Sequence, residues 1–154
     1  MMLISDFVGK FMASMSLDQD LIVRKSGRYF LLNRNLKQLI TKDFFYAGLY
    51  LGKVKDKMFF PSFNLLAMIA QTDANKITVD SKTEWLFICG RDIFKQGIMS
   101  MSKSGRKGDH TLILNKHGEC LGFGRILHDM EGGRENKIVV RNIADIGDFL
   151  RREK

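Results

Sequence analysis

Residues 119–128 read ECLGFGRILH. The glycine pair looks like the start of a dinucleotide-binding fingerprint. That fingerprint needs a third glycine and a helix opening directly after the turn. Neither is present, because Arg125, Ile126 and Leu127 continue as strand. Gly122 and Gly124 fall on one face of that strand, where they permit close backbone packing or a bend. The neighbouring segments share this character. KITVD (76–80), EWLFICG (84–90), GIMSMS (97–102), HTLILN (110–115) and KIVVR (137–141) are brief apolar runs punctuated by glycines and polar residues. Short strands in this number predict a small barrel or curled sheet.

Upstream the pattern differs. Ile4, Phe7, Val8, Phe11, Met12 and Met15 recur at helical spacing, which predicts an amphipathic helix over 2–15. Its polar face is not basic, so core is a better fate for it than an anionic membrane surface. LIVRKSGRYFLL (21–32) reads as a hairpin turning at Ser26 and Gly27. NRNLKQLI (33–40) is a short helix with Asn33 or Asn35 as its N-cap. A second hairpin turns near Asp56, and Pro61 is expected at the start of a helix whose apolar stripe is Leu65, Leu66 and Ile69. TDANK (72–76) is polar and turn-forming, so the boundary falls there. The expectation is an α+β chain: a mixed α/β unit with an antiparallel sheet over 1–75, and a small β-barrel over 76–154.

The last eighteen residues, KIVVRNIADIGDFLRREK, divide into strand and helix. Strict alternation would put Lys137, Val139 and Arg141 on one side and Ile138 and Val140 on the other. Lys137 and Arg141 would then share an exposed face. Asn142 is the expected cap of the closing helix. Asp145 and Asp148 early in it and Arg151, Arg152 and Lys154 late in it suit the helix dipole without a ligand.

Bulk properties narrow the function classes. The chain has 154 residues, 45% of them apolar and 27% charged, which suits a folded protein. A single proline and no serine- or glycine-rich tract exclude a long linker. The net charge of +8 favours a polyanionic partner. Cys89 and Cys120 form no CxxC pair and are expected as reduced, buried thiols of a cytoplasmic protein. Asp6 and Lys10 interrupt any signal-peptide core, and no stretch is apolar enough to span a membrane. Of His110, His117, Cys120 and His128, only the lone pair His117-x2-Cys120 has ligand-like spacing, which is too little for a zinc site, and no HExxH, P-loop or GxSxG is present. No cofactor, metal or catalytic set is therefore expected. The run DFFYAGLYLGKVKDKMFFPSF (43–63) interleaves aromatics with lysines, as single-strand binders do. Phe44, Phe45, Phe59, Phe60 and Phe63 also suit a small core, and core is the expected role.

From about Lys76 onward the chain resembles a PUA domain. The resemblance is carried by CGRDIFKQGI (89–98), NKHGECLGFGRI (115–126) and the closing strand and helix. With KITVDSKTEWLFICGRDIFKQGI and NIADIGDFLRRE, the whole chain is similar to the Nip-seven family of ribosome biogenesis factors, in a short, archaeal-like form. That resemblance implies an α/β domain joined to a PUA barrel, and RNA binding without catalysis. It implies a role in large-subunit ribosomal RNA maturation or in binding U- or AU-rich RNA. It places RNA contacts at Lys137 and Arg141, with Arg134 adding to them from the preceding loop. It further implies that Lys95, Gln96 and Gly97 form the glycine loop by which PUA domains approach RNA. Arg151 and Arg152 are further candidates. Two other classes stay open: a protein-interaction adaptor docking through the first unit, and an accessory subunit of an RNA-modifying complex.

Overall fold

The structure is a computed structural model and describes residues 2–40, 43–103 and 105–152, with only the backbone of Met2, Phe149 and Arg152. Lys154 lies outside the described residues.

The first sheet has four antiparallel strands in chain order: β1 (Ile22–Lys25), β2 (Arg28–Leu31), β3 (Leu49–Lys55) and β4 (Met58–Pro61). Both hairpins turn where expected. Ser26 and Gly27, then Asp56 and Lys57, all have positive φ, the conformation whose twist matches the flanking strands. Pro61 ends edge strand β4, where a missing N–H breaks no ladder bond, and does not start a helix. Ser62 is the N-cap of α3 (Phe63–Ala70), its Oγ accepting from Leu65 N at 3.1 Å. Asn33 caps α2 (Arg34–Leu39) in the same way, from Leu36 N at 2.8 Å. The first helix, α1 (Met2–Gly9), is shorter than its periodicity predicts. The chain turns after Gly9, with Met12 at φ 54°, and Phe11 O accepts from Asn75 N.

The second sheet has six strands: β5 (Lys76–Val79), β6 (Ile93–Phe94), β7 (Ile98–Met101), β8 (His110–Leu114), β9 (Cys120–Ile126) and β10 (Ile138–Asp145). Their order is β6-β10-β9-β8-β5-β7, and only the β5–β8 pair is parallel. The end strands β6 and β7 are joined by a single 3-10 turn, Lys95–Gly97, so the sheet curls into a nearly closed barrel. EWLFICG is not one of its strands. Ser81–Ile88 form α4, capped by Asp80 Oδ1, which accepts from Thr83 N at 2.7 Å. Thr83 and Phe87, four apart, are its buried residues, while Trp85 faces solvent. A short, uniformly apolar run does not distinguish strand from helix; the capping aspartate does.

The closing helix α5 (Ile146–Arg152) begins three residues later than Asn142 would set it. Asn142 stays in β10 and donates to Phe87 O and Asp145 Oδ2. Asp145 is the residue at the helix start, accepting from Asp148 N at 2.8 Å. Cys89, expected to be buried, is exposed at the end of α4.

Helices α1 and α3 lie between the two sheets. Phe7, Phe11, Leu65, Leu66 and Ile69 share one buried cluster with Tyr29 and Leu51 of the first sheet and with Leu112 and Phe123 of the barrel. The Phe7 ring meets Phe11, Phe59 and Phe123 edge-on at 5.3, 5.4 and 5.6 Å. A separate core around Ile77, Phe87, Ile113, Val139 and Val140 fills the barrel.

Candidate nucleic-acid interface

Strand β10 does not alternate strictly. Ile138 pairs with Phe94 and Val140 with Ile93, which leaves Val139 as a bulge. Val139 and Val140 both enter the barrel core. The bulge shifts the parity, so Ile138, not Lys137, shares the outward side with Arg141. Lys137 lies just before the strand, in the loop. Both cations are exposed, and neither forms an ion pair among the described residues.

The outward side of β10 brings Arg141 to a neighbour that sequence inspection missed. Arg141 pairs with Arg125 on β9, and Arg125 pairs with His110 on β8. Three nitrogen-bearing side chains therefore cross three adjacent strands in one row, about 10 Å wide at ordinary strand spacing. Arg125 is exposed. Gly124 makes the close pairing possible, since a side chain there would run into Val140 and the Arg141 carbonyl. His110 is half-buried, its ring stacked on Phe123 at 5.9 Å. Burial, with Lys10 and Arg125 nearby, holds its pKa below the usual 6.5, against the opposing pull of Asp109. The acids around this row already serve backbone groups: Asp109 accepts from Arg106 N and Asp129 from Lys107 N. The signal for Arg125 was its odd position in an apolar strand, but its partner becomes visible only with the register.

A second cationic group borders the barrel's seam. Lys95 N donates to Lys137 O, Gln96 N to Glu135 O, and Lys95 Nζ to Gly132 O at 3.1 Å. These bonds draw Lys95, Arg134 and Lys137 onto one loop and turn. Beside them opens a cleft of about 300 Å³ lined by Asp80, Lys82, Leu86, Phe94, Gln96 and Gly97, among others. Its carboxylates are engaged: Asp80 caps α4, and Asp92 accepts from Asn142 N at 2.9 Å. Gly97 packs so closely on Thr83 that a Cβ would overlap the threonine side chain.

Arg151 stands apart from these groups. Its guanidinium donates to Ile88 O at 3.2 Å and pairs with Asp145 at 3.4 Å, joining α5 to α4. Its first task is structural. The Arg152 side chain lies outside the described residues.

Among the described residues no three His, Cys, Asp or Glu side chains cluster as metal ligands. Burial pushes the Cys120 thiol up to about 11, so it stays protonated and a poor nucleophile at neutral pH. None of the described helices is long and apolar enough to cross a membrane.

A curled six-stranded barrel with a capped helix across it, a glycine turn at its seam and a four-stranded sheet in front defines a PUA-type protein. The chain belongs to the UPF0113 PUA domain family, whose model matches residues 75–154, more than half of it. It is 30% identical over 112 residues to a UPF0113 protein of Archaeoglobus fulgidus, and 29% over 109 residues to one of Aeropyrum pernix. These matches take in 71% and 69% of this chain but only 63% and 57% of those relatives. Among solved structures, it is similar to a conserved PUA domain protein of Thermoplasma acidophilum, with TM-score 0.64 and 22% identity over 97% of this chain and 91% of that one. A hypothetical protein of Pyrococcus horikoshii follows the same fold, with TM-score 0.53 and 15% identity over 83% of this chain and 77% of that one.

Proposed function

We propose that this protein is a non-catalytic RNA-binding protein of the cytoplasm that takes single-stranded or ribosomal RNA on the outer surface of its barrel. PUA domains as a class bind RNA, and the family match supplies that class. The observation that carries the assignment to particular residues is the row Arg141, Arg125 and His110 across β10, β9 and β8. Lys137, Arg134 and Lys95 extend it along the adjoining loop and turn. Such side chains neutralise phosphates and release counterions, a term that sets affinity more than sequence choice. The similarity to the Nip-seven family supports a finer role in large-subunit ribosomal RNA maturation, with U- or AU-rich RNA as ligand.

The test is a salt titration of RNA binding. If about four phosphates are contacted, log affinity falls with log salt at a slope near −3, about −0.7 per contact. Lys137→Ala with Arg141→Ala lowers affinity and makes the slope shallower by about 1.4. A folded double mutant with unchanged affinity and slope removes the assignment.

One observation favours a second reading. Trp85, Ile146 and Leu150 are exposed on α4 and α5, which touch each other. A protein partner seated there would make the chain an adaptor or accessory subunit of an RNA-processing complex, with its own RNA contacts secondary.

A further inference from the structure

The first sheet carries a second cationic row. Lys25 on β1 pairs with Arg28 on β2, and Arg28 pairs with Lys53 on β3. Like charges directly opposite one another destabilise a sheet. Here the cost is met by aromatic rings and one acid. Lys25 Nζ lies 4.9 Å from the Phe44 ring centre and 2.6 Å from Asp43 Oδ1. The Arg28 guanidinium lies 5.7 Å from the Phe45 ring centre. Lys53 forms no ion pair among the described residues.

Two of the rings beside this row, Phe45 and Tyr46, are not core. Phe45 is 83% exposed and Tyr46 56%. Tyr46 is braced from beneath by buried Phe30, edge-on at 5.2 Å, and by Tyr50 at 6.5 Å. Phe45 thus sets an open ring beside a guanidinium, with Lys53 opposite that guanidinium on the next strand. The chemistry that satisfies both features is a base stacked on a ring while its phosphates meet the cations.

We propose that the outer face of the first sheet is a second binding site, for unpaired RNA, in which Phe45 and Tyr46 stack bases and Arg28 and Lys53 hold the backbone. This extends the RNA-binding reading of the barrel to a separate surface. An acidic protein segment would satisfy the charges, but it leaves the open rings without a flat partner, so unpaired RNA is favoured. Among the described residues, the acid that forms an ion pair in this patch is Asp43, and its partner is Lys25.

The experiment uses the full chain and a fluorescent 12-nucleotide poly(U) strand, with a duplex RNA of equal length as control. Phe45→Ala is expected to weaken poly(U) binding about fivefold or more, the cost of one lost stack, and to leave duplex binding unchanged. Arg28→Ala with Lys53→Ala weakens both strands. Ultraviolet crosslinking places uridine on Phe45 or Tyr46. Arg125→Ala with Arg141→Ala forms the independent arm. If that pair weakens binding and Phe45→Ala does not, the second site falls and the barrel assignment stands. If only the Phe45 variant weakens it, the second site stands and the barrel assignment falls. Poly(U) binding untouched by Phe45→Ala, with polyglutamate binding lost in the Arg28 and Lys53 variant, makes the patch a protein-docking face and overturns the proposal.

Discussion

Arg125 has a side chain that the barrel cannot bury, placed between Gly124 and Ile126, which it does bury. Its position opposite Arg141 sets two like charges together, an arrangement that a phosphate between them would relieve. Arg125→Ala is therefore expected to weaken RNA binding as much as Arg141→Ala, and the double mutant by less than the sum of both, as for residues sharing one partner. Anisotropy titrations of the three variants check this. His110 adds a dependence on pH. Its folded pKa is depressed below 6.5 by burial and by neighbouring cations. Well above pH 6.5 both folded and unfolded chains hold it neutral. As pH falls below 6.5 the unfolded chain takes up a proton first, so stability drops until the folded pKa is passed. His110→Gln removes that part of the acid-side slope in urea melts taken across the range. RNA laid along the row has the opposite sign. Phosphate raises the His110 pKa, so affinity in the wild type rises as pH falls from 7, and does so less in His110→Gln. The cations Lys137 and Arg141 were legible in the sequence because charge type needs no coordinates. Their geometry was not, because one bulge at Val139 reverses the parity on which alternation depends.

At the scale of elements, local signals succeeded where a cap or a turn spoke clearly. Both hairpins, α2 with Asn33 and the apolar stripe of α3 follow from residues within a few positions of one another. They failed where tertiary contacts decide. Asn142 looks like a cap, yet its amide is used to bind the Phe87 carbonyl across the barrel, and Asp145 takes the helix start instead. Phe45 looks like core, yet the loop carrying it packs Phe44 and Tyr46 against Phe30 and leaves Phe45 exposed. Asp145 is 3% exposed and accepts from Asp148 N, Asn142 Nδ2 and Arg151. Asp145→Ala removes the cap and strands the Asn142 amide, and is expected to cost about 2 kcal/mol in urea unfolding. Gly97→Ala tests the seam between α4 and the 3-10 turn. The added methyl meets Thr83, and overpacking of this kind costs about 1–3 kcal/mol. Thr83→Ala in the same chain restores part of the loss.

Over the whole molecule, the question is whether the barrel is self-sufficient. The polar stretch TDANK suggests a break between two units, and the second sheet does begin at Lys76. Yet the outer side of β8 and β9 presents Leu112 and Phe123, and both are buried only because α1 and α3 lie on them. Asn75, within that stretch, is fully buried and holds its neighbours on both sides: its N–H donates to Phe11 O, and its carbonyl accepts from Leu112 N. The two sheets therefore share a core, and the linker belongs to it. Severing the chain before residue 75 would uncover Leu112 and Phe123 together, an apolar patch of the kind that drives association. The fragment 75–154 is expected to self-associate and to unfold at lower urea than the full chain. Replacing both residues by glutamine should return the fragment to a monomer, because polar amides then stand where its two large apolar side chains were exposed. The same pair in the full chain removes two buried side chains from the common core, and losing a buried phenylalanine alone costs about 3–5 kcal/mol. The same double substitution thus solubilises the part and destabilises the whole. Light scattering of the fragments and urea melts of the full chains measure the two effects separately. A monomeric fragment as stable as the full chain would show that the first sheet and its helices contribute nothing to the barrel's fold.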